Sequence, residues 1–295
     1  MYATNMDGDS MSPSLTLCFW IGCLVWPLLF VILWLSLTKI YTDVAMACGT
    51  AMRLVAIAHA VTLTASGIHV MSVTYKDMFY HDCHLLDQSL AFTGIYWPYD
   101  VIALYLTYQR EKPQGESPPF FQNLKMFLRD HRLIVFHHII VVLFGYPLVL
   151  HYRRGRGAFL ISCALLSEFS SPFVILRKLL LKHGFMDSWM FTVNNILIAV
   201  TFFWVRVFLY PAIYLFYGYS QGLSPMEVVR SMYFGCHVGM VVIVVLQTVW
   251  YVKFLQGAFP HLLSSQLSRN GASHQPRLET TAPPKIVHQN GTKKD

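Results

Sequence analysis

The sequence predicts an all-α membrane protein, a polytopic helical bundle of about seven transmembrane helices, and three observations support this class. Of the 295 residues, 55% are hydrophobic and only 13% are charged, whereas ordinary globular domains carry about 25% charged residues. The mean hydropathy is +0.46. Apolar stretches long enough to cross about 30 Å of hydrocarbon recur along the chain. A soluble helical protein is disfavoured because these stretches leave almost no sequence for amphipathic surface helices.

The predicted spans follow one another along most of the chain. They cover residues 15–37, 52–74, 89–108, 133–150, 157–176, 189–217 and 232–255. The second span is the least apolar, since it is rich in Thr, Ser, His and Gly. Before the first span, Asp7 and Asp9 are present but Lys and Arg are not, so the basic start of a cleavable signal peptide is missing. The first span is therefore predicted to be an uncleaved anchor.

These spans divide the chain into regions. We expect a short extracytosolic N-terminus (residues 1–14), a first anchor helix with its loop (15–42), one membrane domain (43–257) and a disordered cytosolic tail (264–295). The tail is polar and contains prolines, a composition that cannot bury enough apolar surface to fold. Residues 110–119 form a charged, Pro-rich loop that should interrupt any helix.

Basic residues outside the spans predict the orientation. Fifteen Lys and Arg residues lie on the side that holds the C-terminus and five on the other side, so the positive-inside rule places the C-terminus in the cytosol. The net charge of +7 is therefore mostly a topology signal and does not indicate nucleic-acid binding. The final Lys293-Lys294-Asp295 resembles a dilysine retrieval signal displaced by one position. It favours the endoplasmic reticulum over the Golgi or plasma membrane.

Ionisable and amide side chains inside the spans are the candidate functional residues. Such groups are costly at membrane depth and usually face a bundle interior or a pathway. Every predicted span after the first contributes at least one, which predicts a shared polar interior. The set comprises Arg53, His59, Asp100, His137, His138, Glu168, Asn194, Asn195, Arg206 and His237.

The pair His137-His138 lies near the start of the apolar run 133–150, which contains no acidic residue. Consecutive residues on a helix point about 100° apart, so at most one of the two faces a given cavity squarely. An imidazole is the natural group to take a proton from an amine or hydroxyl near neutral pH. A metal site is the competing use and would need further ligands from other helices. We predict a proton-transfer site without a metal.

Glu168 is predicted to be the acidic partner of this pair. Pro172, four residues later, lacks the N–H that would bond the carbonyl of Glu168 in a regular helix. The helix should therefore kink, leaving a carboxylate and a free carbonyl at one buried position, which is tolerated only inside protein or along a cavity. We predict His137, His138 and Glu168 as the catalytic residues.

The other polar residues are predicted to bind substrate, and each has a plainer alternative. Arg53 lies near the start of its span and is equally suited to extend its charge to the surface. His59 is suited to a structural role as a neutral imidazole bonded to a carbonyl. Asp100 shares a helix face with Tyr96 and is suited to a structural pair with Arg206 or Arg53. The predicted substrate-binding set is Asp100, Tyr96, Arg53, His59 and Arg206.

Several blocks of sequence carry a family resemblance. They are Arg53-Leu-Val with His59, Tyr96 to Asp100, Asp130-His-Arg-Leu with His137-His138, Ser167-Glu-Phe-Ser-Ser-Pro-Phe-Val, Val193-Asn-Asn-Ile-Leu and Arg206-Val-Phe-Leu-Tyr-Pro. Together they resemble the TLC-domain family, the membrane proteins that include the ceramide synthases, over residues 43–257. The last blocks are most similar to the TLC domain-containing protein 3 subgroup, whose members have been linked to ceramide synthesis.

The resemblance implies a reaction. In ceramide synthases the His-His pair serves acyl transfer from acyl-coenzyme A to a sphingoid-base amine, and this role carries over to His137 and His138. Aligning Gly157-Ala-Phe with the family's Gly-Ala-Leu places the family's second dyad, His-Asp, on Ala164-Leu165 and the next acid on Glu168. This chain therefore lacks the second dyad.

The resemblance favours an acyl-CoA-dependent N-acyltransferase, with acyl-CoA as cosubstrate and no bound cofactor. A non-catalytic lipid-binding protein that regulates membrane lipid composition is the alternative, because the second dyad is missing. The expected partners are membrane lipids, a sphingoid base and acyl-CoA, without nucleic acid. Both a homo-oligomer and a hetero-oligomer are compatible with the sequence.

Overall fold

Helices form almost all of the regular structure in a computed structural model that describes residues 12–112, 118–147, 149–150, 155–232 and 234–272. The described residues contain no β-strand, which confirms the predicted all-α class. The described residues up to Leu255 form one compact unit, and those from Gln256 onwards form a second. The last helix ends at Ala272.

Twelve α-helices occur in the described residues. They are α1 (Pro13–Leu37), α2 (Val44–Thr74), α3 (His84–Gly94), α4 (Tyr96–Arg110), α5 (Phe120–Asp130), α6 (Arg132–Ile140), α7 (Ala158–Leu165), α8 (Ser171–Lys182), α9 (Trp189–Phe202), α10 (Leu209–Gln221), α11 (Pro225–Ser231) and α12 (Phe234–Ala272). A π-helical segment, Val141–Gly145, follows α6; a 3₁₀ segment, Leu166–Ser170, joins α7 to α8; and a second π-helical segment, Phe203–Phe208, joins α9 to α10.

The predicted number of seven spans is not confirmed. Five helical stretches of the described chain are long and apolar enough to cross a membrane: Pro13–Leu37, Val44–Thr74, Ala158–Lys182, Trp189–Gln221 and His237–Ala258. The predicted span 89–108 is divided at Ile95 between α3 and α4, which have 11 and 15 residues. The predicted span 133–150 contains a shorter apolar helix, Arg132–Gly145. These findings support the membrane class. By length and composition, five stretches of the described chain qualify as membrane spans.

Helix α2 is the central element of the bundle, because it packs against α1, α3, α4, α7 and α8. Its residue Val55 is fully buried with Trp26 of α1 and Tyr96 of α4 in one core cluster. Outward-facing apolar side chains stay exposed, as Leu24 of α1 does at 70%. An apolar exterior around a buried polar interior is the arrangement that a hydrocarbon solvent favours.

Four helices, α2, α4, α6 and α8, have an end at the same end of the bundle. Lys182, the last residue of α8, donates to a carboxylate oxygen of Glu111, which follows α4, at 2.7 Å. Its ammonium also lies beside Gly49, near the start of α2. Tyr108 of α4 donates to Asp130 at 3.1 Å, so α6 begins at the same end. We call it the basic end.

Pro172 interrupts the helix in a different way from the one predicted. The regular α-helix gives way to the 3₁₀ segment that contains Glu168. The Glu168 carbonyl is not free, because the backbone N–H of Ser171 donates to it through the tighter turn. The prediction of an unpartnered carbonyl at this position is therefore wrong.

The described residues include only part of the predicted N-terminal region and part of the predicted tail. Helix α12 includes residues 264–272, which the sequence assigns to the tail. Residues 1–11, 113–117 and 273–295, the last with the Lys293-Lys294 motif, lie outside the described residues.

Candidate functional site

A buried carboxylate on α4 is the centre of the candidate site. Tyr96 donates its hydroxyl proton to Asp100 Oδ1 at 2.7 Å, and His138 Nδ1 of α6 lies 3.7 Å from Asp100 Oδ2. Asp100 and His138 are 8% and 5% exposed. A separation of 3.7 Å is too long for a hydrogen bond, and His138 Nδ1 has no hydrogen-bond partner among the described residues. Catalytic hydrogen bonds are often this long before substrate binds.

Apart from a shared contact with Trp97, the two histidines contact different neighbours, as their consecutive positions on α6 predict. The rings of His137 and His138 lie 5.7 Å apart, and only His138 pairs with Asp100. His137 meets Trp250 of α12 edge-on at a ring-centroid distance of 5.2 Å. At the start of the first π-helical segment, the N–H of Val141 donates to the carbonyls of both histidines. His138 is thus the member of the pair that is set against a carboxylate.

Trp97 of α4 brings three imidazoles together. Its ring meets those of His59, His137 and His138 edge-on, at centroid distances of 5.4, 5.7 and 4.9 Å. His59 of α2 stacks on Tyr96 at 3.7 Å, and its Nε2 is buried without a hydrogen-bond partner among the described residues. Sequence reasoning did not single out Trp97. Its spacing of three residues before Asp100 places both on one helix face, and that signal could have found it.

Glu168 belongs to a separate polar network. Its Oε1 lies 3.5 Å from Nη2 of Arg206, and its Oε2 accepts a hydrogen bond from Ser171 at 2.6 Å. Arg206 also donates to Ser170 and Ser171, at 2.7 and 2.6 Å, and to Gln247 of α12 at 3.4 Å. The guanidinium is therefore held by groups of the 3₁₀ segment, α8 and α12.

Glu168 was predicted to be the carboxylate beside the histidine pair. In the structure, the carboxylate beside His138 is that of Asp100. Within the described part of the chain, Glu168 makes no hydrogen bond or ion pair with His137 or His138. Its charge acts on both histidines only through space. The predicted structural pairing of Asp100 with an arginine is replaced by the pairing of Arg206 with Glu168. Arg206 lies in the second π-helical segment, and such segments are frequent at functional sites.

Arg53 is remote from both networks and lies toward the basic end. Its Nη1 donates to the carbonyl of Gly49 at 2.9 Å, and its Nε is buried without a hydrogen-bond partner among the described residues. The eight predicted site residues thus fall into three groups. These are Tyr96, Asp100, His59, His137 and His138; Glu168 and Arg206; and Arg53 alone.

The donor set of the first group suits proton transfer. Asp100 and His138 form one carboxylate–imidazole pair, and the described residues contain no group of three or more His, Cys, Asp or Glu side chains that could hold a metal ion. Structural zinc sites use four such ligands and catalytic ones three.

A comparison with known families identifies a domain that covers most of the chain. A family model for the TLC domain (TRAM_LAG1_CLN8) matches residues 50–256, a range that includes all eight predicted site residues. The chain belongs to the TLC-domain family. No solved structure matches it. TLC-domain membership makes it a membrane protein of a lipid-related family.

The positions in this TLC domain that align with the second His-Asp dyad of ceramide synthases are apolar packing positions. Ala164 lies against the core cluster that contains Phe159 and Tyr210, and Leu165 lies against the cluster that contains Val70. Neither residue supplies a titratable group. The histidine–carboxylate pair of this TLC domain therefore comes from α6 and α4.

Two further polar positions of the TLC domain have structural roles. Asn194 donates to the carbonyl of Phe173 at 2.9 Å, which ties α9 to α8. His237 of α12 shares hydrogen bonds of 2.9 Å with the Tyr214 hydroxyl and the Val229 carbonyl. Carbonyl bonding of this kind is the plainer role of a histidine inside a membrane protein.

Proposed function

We propose that this protein transfers a fatty acyl group from acyl-CoA to the amine of a sphingoid base, as a ceramide-synthase-like member of the TLC domain-containing protein 3 subgroup. The observation that carries the proposal is the buried arrangement of Tyr96, Asp100 and His138. It supplies a base, a carboxylate that orients the base and a hydroxyl that holds the carboxylate. General acid–base catalysis uses a positioned side chain, most often an imidazole, within reach of the proton that moves.

The chemistry assigns each group a step. The lipid amine attacks the thioester carbonyl carbon, and His138 Nε2 accepts the proton that the amine loses as the C–N bond forms. Asp100 stabilises the resulting imidazolium through Nδ1–H. The C–S bond then breaks, and the imidazolium returns its proton to the departing thiolate of coenzyme A. The products are an amide and free coenzyme A, and the base is restored.

His137 is the second imidazole of the site. It makes no hydrogen bond with a described residue, which leaves its ring nitrogens for substrate, and Trp97 and Trp250 hold its ring on two sides. We assign His137 to contact with the reacting end of the acyl donor. His59 stacks on Tyr96 and meets the same Trp97 ring edge-on.

The depth of the site suits one soluble and one lipid substrate. His138 lies six residues into α6, about 9 Å from its start, and Asp100 lies ten residues before Arg110, about 15 Å from the end of α4. Both helix ends belong to the basic end, which the positive-inside rule places in the cytosol. Acyl-CoA would enter from the cytosol and the amine from the bilayer, with the endoplasmic reticulum as the proposed membrane.

The test is acyl transfer by the purified protein in lipid nanodiscs with acyl-CoA and sphinganine. We expect His138→Ala to lower turnover by about a hundredfold or more. His237→Ala is the matched control, because it removes a histidine of another candidate membrane span that lies outside the site, and we expect it to retain turnover. Wild-type turnover no higher than that of a His137→Ala/His138→Ala double variant would refute the proposal.

A second candidate function is non-catalytic lipid binding that regulates membrane composition. It is favoured by the apolar residues at Ala164 and Leu165 and by the engagement of Glu168 with Arg206, which leaves one histidine–carboxylate pair in place of two dyads. Native mass spectrometry of the purified protein distinguishes the two functions. Bound lipid with no acyl transfer would support the second candidate, and ordinary turnover would reject it.

A further inference from the structure

Lys178 of α8 is a cation without a carboxylate partner in contact among the described residues. It lies one helical turn before Lys182 and makes no hydrogen bond or ion pair within the described residues. Helix α8 packs against α2 and α9, and the side chain of Lys178 is exposed. Its ammonium is therefore open to an anion that approaches α8 beside Lys182.

Two more cationic groups converge at Gly49 of α2. A Cβ atom at this position would lie 2.6 Å from Lys182 Nζ and 3.0 Å from Arg53 Nη1. The absence of a side chain at Gly49 therefore makes room for an ammonium and a guanidinium side by side. Glu111 bonds Lys182 at 2.7 Å, whereas Arg53 keeps a buried Nε without a hydrogen-bond partner among the described residues.

Charge in this region is unbalanced. The charge of Lys178 is repelled by Arg53 and Arg177 and attracted by Asp100. Asp100 is already bonded by Tyr96 and set against His138. Among the described residues, three cations, Arg53, Lys178 and Lys182, thus have two carboxylates near them, Glu111 and Asp100. Clustered like charges create a positive potential that attracts anions.

We propose that Arg53, Lys178 and Lys182 form a phosphate-binding site at the basic end. Lys and Arg head groups are the usual ligands of phosphate oxygens, and the exposed side chain of Lys178 gives the anion access. Because Lys178 lies one helical turn before Lys182, the site extends along α8 from the basic end. When the ligand is acyl-CoA, the inference rests on the proposed acyl transfer. An anionic lipid headgroup offers the same phosphate chemistry from the bilayer.

The first test measures binding of coenzyme A, which lacks the acyl chain, to the full-length protein in phosphatidylcholine nanodiscs. Lys178→Met and Arg53→Met should each raise the dissociation constant by about tenfold or more, since each removes one charge-assisted contact. Lys39→Gln is the matched control, because Lys39 is an exposed cation that follows α1 and lies outside the cluster. We expect Lys39→Gln to change affinity by less than about twofold.

A second arm identifies the source of the phosphate. Nanodiscs that contain phosphatidic acid are analysed by native mass spectrometry for retained lipid. Retention that depends on Lys178, without coenzyme A binding, would support the site and assign it to a lipid headgroup. Absence of any Lys178-dependent binding of either probe would overturn the site. Lys178→Arg keeps the charge and should restore binding, which separates loss of the site from loss of folding.

The two proposals fail in different ways. If the wild-type protein binds coenzyme A through Lys178 but transfers no acyl group, the phosphate site stands and the proposed function falls. If Lys178→Met transfers acyl groups with an unchanged KM for acyl-CoA and also retains phosphatidic acid as the wild type does, the phosphate site falls and the proposed function stands.

Discussion

His138 Nδ1 lies 3.7 Å from Asp100 Oδ2, across the contact between α6 and α4. The two residues are 38 positions apart in sequence, and each sits in a short helix that also supplies an aromatic or imidazole neighbour. Tyr96 fixes the far oxygen of the carboxylate, and Trp97 lies against the imidazole. This contact is the basis of the proposed acyl transfer, and the first prediction tests whether the charge of Asp100 is required.

Asp100→Asn should slow acyl transfer by about 10²–10⁴-fold, because the amide keeps the shape of the side chain but cannot stabilise an imidazolium at His138. Tyr96→Phe removes only the hydrogen bond to Asp100 Oδ1 and should cost about tenfold or less. Single-turnover rates in nanodiscs measure both effects. An Asp100→Asn variant that retains the wild-type rate would show that the carboxylate has no part in the reaction.

Arg206→Met should lower the free energy of unfolding by about 3–5 kcal/mol, because it leaves the carboxylate of Glu168 buried without its cation. Glu168→Gln in the same chain should recover a substantial part of that loss, since the uncompensated charge is then absent. Denaturant unfolding in detergent micelles measures the cycle. Equal stability of the single Arg206 variant and the double variant would contradict a coupled pair.

Gly22→Ala should destabilise the protein by about 1–3 kcal/mol, because its Cβ would lie 2.2 Å from the carbonyl oxygen of Phe92. The two helices α1 and α3 would have to separate. Gly239→Ala in α12 is the matched control, as no described atom beyond the local backbone of α12 lies within 4 Å of the Cβ position. It should be neutral or stabilising by up to about 1 kcal/mol. Equal melting temperatures for the two variants would exclude the close approach of α1 to α3.

The sequence was sufficient to predict the all-α membrane class and a shared polar interior. Both follow from solvation, because hydrocarbon penalises charges strongly enough that His59, Asp100 and the histidine pair must face inward. The choice of acidic partner was not predictable in the same way. Asp100 and Glu168 are both acids inside predicted spans, and the angle at which each helix presents its side chains decides which one meets His138.

Irregular helical segments are the physical reason that the acidic partner of His138 could not be predicted. The 3₁₀ turn before Pro172 and the π-helical turn around Arg206 each change the helical repeat, and they accompany the contact of Glu168 with Arg206. A regular helical repeat of 3.6 residues does not predict the contact of Glu168 with Arg206. The role proposed for Lys178 was equally hard to predict, because sequence alone counts it among the basic residues that set orientation, whereas its position near Arg53 and Asp100 depends on tertiary structure.

The most direct test of the account is a double-mutant cycle on acyl transfer from acyl-CoA to sphinganine, with His138→Ala, Asp100→Ala and the combined variant measured under single-turnover conditions. If the two residues act as one unit, each single variant should be slower than the wild type by about a hundredfold or more, and the combined variant should be no slower than His138→Ala alone. Independent, multiplying effects of the two substitutions, or a wild-type rate no higher than that of the combined variant, would contradict it.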